Sequence, residues 1–566
     1  MCVSDSNSVM EHGSHGDYEC QPQQMSEVGL DDTTDINPLV RQPNGRVITE
    51  ESVRYEVRGI YAGLVDIEAK AMQIARAQKR VVTKLKDDEC KAVFDLYETL
   101  LDHYYDFFVA SQHFPGGPAV RRLPEKYDMV SRMCRHGIRD CLEILHRNLP
   151  ESKEHMLSFI SVAFSTMMDL YETTPGYDYA WAECIGDIAA QRATIEGDSV
   201  LEREFWVSNA AVWYAEASDK DPGNGRLYHH LALVPFSHGL QQLFYHAKAL
   251  CAPASFSQAE DSMVAYLKSA VKDPGPQLST IDLMFMRTEL AFLLRQDDFT
   301  ALVDEFVRNL KDDLRHIARL WMAQGTFIHV GIIINCSVLF EHGSTSNTII
   351  QAFDENQSHN TKASLEFVNV IEFACRTHAV IFEHFGEANA SVYNLIPYVH
   401  TALFFLKGCT NYPTVMEQIE ERFPWHLVSL CLNTLLPERN MDLEDLRSDK
   451  FPRSKRHSEW RNFQEGDNIA QWLKIRPQDV RQQDAAWRPL PEDFAQRGLL
   501  WGDEYPSDWF TISKVECREQ SSELGWMAQE RIDRCLWLGF RLSCLGNPLV
   551  WLKDEQCFGV TQLIQT

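Results

Sequence analysis

Arg132, Arg135 and Arg139 stand at positions i, i+3 and i+7, with His136 among them. On a helix that spacing puts three guanidinium groups on one face. A guanidinium is planar, permanently charged and able to donate two parallel hydrogen bonds, so such a face suits phosphate. The same pattern describes a solvated or salt-bridged surface, and the residues alone leave both readings open. Two other basic stretches occur: Lys79, Arg80, Lys84 and Lys86, and then Lys450, Arg453, Lys455, Arg456, His457 and Arg461 with Trp460 inside. Cations mixed with an aromatic ring suit a nucleic acid backbone and a stacked base, or a nuclear import signal. A solvated charged loop is the plainer reading.

Catalytic patterns are poor. No phosphate-binding Gly-Lys-Ser/Thr, His-Glu-x-x-His or Gly-x-Ser-x-Gly occurs. His378, Glu383 and His384 share a helical stretch but not a face. Asp87-Asp88 sits at an expected helix start, where acids complement the dipole. The 15 cysteines include no C-x-x-C pair and no finger-like Cys/His quartet. Most fall among apolar residues at helical spacing, which reads as reduced, buried thiols. Neither a metal nor a cofactor is expected, and the chain reads as non-enzymatic.

The elements that must position the arginines are helices. Val57, Ile60, Tyr61, Leu64, Ile67, Ala71 and Ile74 recur at three- and four-residue steps, and Val93 to Phe108 repeat the pattern. Pro115-Gly116-Gly117-Pro118 breaks the chain. A third helix is expected from about Lys126 to Arg147, and a fourth from Lys153 to Tyr171. Ala210, Tyr214, Ala217 and Pro222 then fall at the spacing that closes a tetratricopeptide repeat. Such a hairpin must stack on neighbours and leaves a concave groove, which is a binding feature before it is a catalytic one. The Ile185-Gly186 pair lies too far before Ala210 for an ideal repeat, so Thr194–Val200 reads as extra length. Helices continue to Leu436, interrupted by a polar loop from Gly343 to Ala363.

The 566 residues, 45% of them hydrophobic, allow more than one core. The net charge of −27 opposes nonspecific binding to nucleic acid or anionic membranes. No secretory signal opens the chain, and Phe327–Phe340 is too short an apolar run to span a bilayer, so it reads as a buried helix. The reading is therefore soluble and intracellular, with no membrane partner. Residues 1–48 are expected to form a disordered acidic tail. Past the basic loop Arg447–Arg461 the text turns irregular and tryptophan-rich, and strands are few. The fold class expected is all-α.

Several motifs resemble the Est/SMG family, the ever-shorter-telomere proteins of telomerase and the SMG adaptors of nonsense-mediated mRNA decay. They are Gly186-Asp187-Ile188-Ala189, Trp213-Tyr214-x-x-Ala217, Gly225-Arg226-Leu227-Tyr228-His229-His230-Leu231-Ala232, Gln242-Leu243-Phe244-Tyr245, and Leu490-Pro491-Glu492-Asp493-Phe494 with Arg497-Gly498-Leu499-Leu500. The resemblance covers most of residues 90–545 and is nearest the short fungal forms without a PIN nuclease domain. It implies a 14-3-3-like tetratricopeptide-repeat domain over 49–260, followed by a helical-hairpin domain of the Est-type DNA/RNA-binding kind over 261–566.

The resemblance also implies a job: an adaptor that holds a peptide or protein partner, phosphorylated in the best-fitting case, in a helical groove. RNA or single-stranded DNA is the second partner class. The pathway is telomerase recruitment and telomere maintenance or nonsense-mediated decay, in the nucleus or cytoplasm. The competing reading is a direct binder of telomeric DNA or telomerase RNA. Oligomeric state is left open. In the family a basic residue at the position of Arg139 grips the phosphate. The motif Gly-Asp-Ile-Ala-Arg-Tyr-Arg supplies a second contact from its first arginine. Here that run reads Gly186-Asp187-Ile188-Ala189-Ala190-Gln191-Arg192, so Ala190 replaces the contact and only Arg192 remains. A hydrogen bond to a charged group is worth ~1.5–3 kcal/mol, so its loss weakens affinity about tenfold or more. The phosphate-site residues expected are therefore Arg139, with Arg135, Arg132 or Arg192 in support.

Overall fold

The computed structural model describes residues 48–80, 83–113, 116–196, 199–234, 239–275, 278–338, 365–387, 392–452, 489–502, 505–506, 509–510, 525–544 and 548–561. The expected acidic tail, the polar loop 343–363 and most of the basic stretch 450–461 lie outside these residues.

The architecture is all-α. The first helix, α1 (Glu50–Gln78), opens on a capping box in which Thr49 and Ser52 satisfy each other's backbone amides. It buries Val53, Val57, Leu64, Ala71 and Ala75 against α2 (Asp87–Gln112), and Ile60, Tyr61, Ile67 and Ile74 flank that stripe. The short helices α3 (Gly117–Arg121), α4 (Leu123–Lys126) and α5 (Met129–Arg132) follow. Next come a π-helical turn over Met133–Arg139 and α6 (Asp140–Arg147). The helix expected over 126–147 is thus broken at Asp128, whose φ of 50° is left-handed, and beyond it the backbone shifts to i→i+5 hydrogen bonds: the Asp140 amide donates to the Arg135 carbonyl.

The hairpins continue as α7 (Lys153–Thr173), α8 (Asp178–Ile195), α9 (Val200–Lys220), α10 (Gly225–Leu233) and α11 (Gly239–Leu250). The α8–α9 pair is a close-packed repeat. Its tightest point is Gly186, where an added Cβ would sit 2.7 Å from the Tyr214 ring. The extra length before Ala210 therefore does not prevent the small-against-large contact such a repeat needs. One hydrophobic core gathers α1, α2 and α6–α8. A second starts at Ala189 and Ala210 and runs on to Phe558, so α8 serves both.

Further along lie α12 (Gln258–Lys272), α13 (Thr280–Leu293), α14 (Phe299–Gln324), α15 (Thr326–Ile333), α16 (Leu365–Glu387), α17 (Ile396–Cys409), α18 (Pro413–Glu420) and α19 (Trp425–Leu435). The apolar run of α15 is a buried helix, and among the described residues no helix is long and apolar enough to cross a membrane. His378 on α16 is a core histidine bonded to the Tyr398 hydroxyl at 2.9 Å, and burial pushes its pKa down to about 3. After α20 (Leu443–Leu446), α21 (Pro491–Gln496) and α22 (Gly525–Cys544), the chain adds an antiparallel hairpin of β1 (Leu549–Leu552) on β2 (Cys557–Val560).

The segment Leu490–Trp501 clasps both ends of this second core. Glu492, fully buried, accepts the Arg531 Nε at 2.6 Å and Nη2 at 3.0 Å, and meets His400 Nδ1 at 3.0 Å. Asp493 receives Arg534, the Tyr505 hydroxyl at 3.0 Å and the Trp509 indole at 3.2 Å. On the other side Arg497 donates to the Asp219 carbonyl at 2.8 Å. Gly498 has φ +73°, and a Cβ there would lie 1.8 Å from the Pro222 carbonyl oxygen. The Leu-Pro-Glu-Asp motif is therefore a strap between the repeat's closing turn and α22.

Candidate binding cavity

The π turn with α6, and α8 and α9 beyond the intervening α7, leave a gap between them. Together with His230 and Leu233 of α10 and Val234 just past it, they line a cavity of about 790 Å³. Aliphatic residues such as Ile138, Leu142, Ile188 and Val207 line it, with the cations Arg139, Arg147 and Arg203 and the acids Glu143 and Asp187. That combination, apolar lining with a few placed polar groups, suits an extended peptide carrying an acidic group.

Asp187 organises the wall. Its Oδ2 accepts Arg139 Nη2 at 3.2 Å, and its Oδ1 accepts the Tyr214 hydroxyl at 2.9 Å. His230 stacks on Tyr214 with ring centroids 4.9 Å apart and planes 9° from parallel. The far side of His230 meets Glu183 Oε1 at 3.2 Å, and Glu183 Oε2 holds Arg226 Nη2 at 2.7 Å. Burial opposes the charge on Arg139, but Asp187 outweighs it and holds the guanidinium firmly protonated. Burial, and then the same carboxylate, push the Tyr214 hydroxyl well above the ordinary phenol range. The three motifs Gly186–Ala189, Trp213–Ala217 and Gly225–Ala232 thus meet in one hydrogen-bonded cluster.

The predicted arginines separate. Arg139 lies at the cavity with more than half of its side chain exposed. Arg135 is exposed and is not among the cavity residues. Arg132 turns the other way, with its Nε donating to Glu68 Oε1 at 3.0 Å and its Nη2 to Glu68 Oε2, while Tyr104 donates to the same carboxylate at 2.6 Å. Burial raises the Glu68 pKa, but the Arg132 and Tyr104 hydrogen bonds outweigh it and hold the carboxyl below its usual range. The single arginine face expected from i, i+3, i+7 spacing is therefore corrected: the π turn between Arg132 and Arg139 changes the helical phase.

Arg192 is not among the cavity residues; it pairs with Glu196 Oε1 at 2.6 Å and lies 5.7 Å over the Trp206 ring. Ala190 and Gln191 line the cavity. Sequence reading missed Arg147 and Arg203. Arg147 lies two turns beyond Arg139 with Glu143 between them, a spacing that looks like ordinary surface charge. Arg203 enters from α9, and only the pairing of α8 with α9 brings it near. Of the basic helix end, Lys79 is tied to Asp140 at 3.6 Å and Glu143 at 3.4 Å, and Lys84 to Glu151 at 3.5 Å.

No known family profile matches the chain, and no curated protein is detectably similar to it. Among solved structures, the C. elegans SMG5-SMG7 complex is similar at 12% identity and a TM-score of 0.25, over 77% of this chain and 99% of that one.

Proposed function

We propose that this protein is a non-enzymatic helical adaptor that receives a peptide segment of a partner protein in the cavity between α6, α8 and α9. The observation that carries the reading is the Asp187 cluster: Arg139, Tyr214 and His230 are locked together at the wall of a cavity that also presents Arg147 and Arg203. A guanidinium has five N–H donors, and the contact with Asp187 uses Nη2 of Arg139. The remaining donors are available to an anionic guest, and Arg147 and Arg203 add charge where Ala190 and Gln191 add none.

The guest favoured is a phosphorylated peptide, and the sequence resemblance supports that choice. Titration of matched phosphorylated and unphosphorylated Ser-Gln peptides tests it. The phosphorylated peptide should bind about tenfold or more tightly, the worth of one charge-assisted contact; equal affinity removes phosphate from the account. The resemblance further assigns the adaptor to telomerase recruitment or to nonsense-mediated decay. Affinity purification from its own cells separates the two, through recovery of telomerase components or of decay helicases and deadenylases.

A further inference from the structure

The wall of the cavity has a second rung. In the π turn, hydrogen bonds close five residues on, so Cys134 lies beneath Arg139. On α8 a three-residue step puts Cys184 beneath Asp187. The facing elements thus carry Arg139 opposite Asp187 and, one turn back, Cys134 opposite Cys184. The two thiols are neighbours, and both line the cavity. Cys134 is half-buried, and Cys184 is almost covered.

We propose that Cys134 and Cys184 form a peroxide-sensitive dithiol site that closes to a disulfide and pins the π turn to α8. Their surroundings divide the roles. Cys134 lines the cavity and is only half-buried, so peroxide in the cavity reaches its sulfur first. Cys184 is held as a thiol by its contact with Cys134, by burial and by Asp187 and Glu183. The Cys134 thiolate attacks hydrogen peroxide, the O–O bond breaks, and Cys134 becomes a sulfenic acid with release of hydroxide. The Cys184 sulfur then displaces the sulfenic oxygen, the S–S bond forms, and the Cys184 proton leaves with that oxygen as water. Peroxide is reduced, and the two thiols are oxidised.

The chain holds its own control. Cys251 and Cys336 are also thiol neighbours, but both are fully buried and neither lines the cavity. Proximity alone would oxidise both pairs, whereas access from the cavity selects the first.

The test treats the folded full-length protein with hydrogen peroxide, blocks free thiols with N-ethylmaleimide, and maps the digest by mass spectrometry. The expected result is loss of alkylation at Cys134 and Cys184 and a linked peptide lighter by the two thiol hydrogens, reversed by dithiothreitol. Cys251 and Cys336 stay alkylated once the protein is unfolded. In Cys184→Ser the first step still occurs, so dimedone traps the Cys134 sulfenic acid. Full alkylation of Cys134 and Cys184 after peroxide overturns the proposal. So does linkage of Cys251 to Cys336 at the same rate, or dimedone labelling of Cys134 in the wild type without a linked peptide. Because the readout is covalent, it stands or falls separately from peptide binding.

Discussion

Tyr214 of α9 donates its hydroxyl to Asp187 of α8 across 2.9 Å, and the same carboxylate holds Arg139 at 3.2 Å. One acid therefore ties the repeat hairpin to the phosphate-binding candidate. Asp187 orients Arg139, and it also competes with any anion that approaches it.

Asp187→Asn separates those two effects. The amide keeps a hydrogen-bond acceptor for Tyr214 but removes the competing charge. A phosphorylated peptide should bind more tightly to this variant in a calorimetric titration, while thermal unfolding shows a loss of about 1 kcal/mol. Weaker phosphopeptide binding would mean that orientation of Arg139 outweighs competition.

Arg132 and Arg139 should part company under mutation. Arg139→Ala lowers phosphopeptide affinity about tenfold with little change in stability, since its side chain is more than half exposed. Arg132→Ala instead strands the buried Glu68 carboxylate and costs about 3 kcal/mol in denaturant unfolding. Affinity per folded molecule is unchanged in that variant.

The strap through Glu492 predicts a long-range loss. Glu492→Ala removes the buried carboxylate that pairs with the Arg531 guanidinium, at a cost of about 3–5 kcal/mol. Limited proteolysis should then release α22 while α1–α7, which pack in the other core, resist cleavage.

Glu289 gives stability a pH dependence. Burial raises its carboxyl to about 8, so it is protonated in the folded protein at neutral pH. The unfolded carboxyl ionises near ~4.3. Its contribution is fully present below that value and is lost as pH rises through about 8. Glu289→Gln should therefore gain on the wild type by on the order of 1 kcal/mol per pH unit across that window. Parallel denaturation curves for the two proteins at pH 5 and pH 8 would contradict this.

The all-α fold and the α8–α9 hairpin were legible because apolar periodicity and the Ala210–Tyr214–Ala217 spacing are written locally. The contact of Arg139 with Asp187 was not, because it spans 48 residues of sequence. The parting of Arg132 from Arg139 was not, because a π turn changes hydrogen-bond register without a marker in residue type. The strap was visible as a motif, but its role depends on Arg531 and Arg534, some forty residues away, and on Asp219 far upstream. The closing β-hairpin lacked an Asn-Gly signal; Gln556 takes the positive φ of 50° in its turn.

The most direct measurement of the central claim is amide hydrogen exchange with and without a phosphorylated Ser-Gln peptide. The account predicts new protection confined to residues 133–147, 184–195 and 203–214, abolished by Arg139→Ala. Binding with protection only elsewhere, or no protection at saturating peptide, would contradict it.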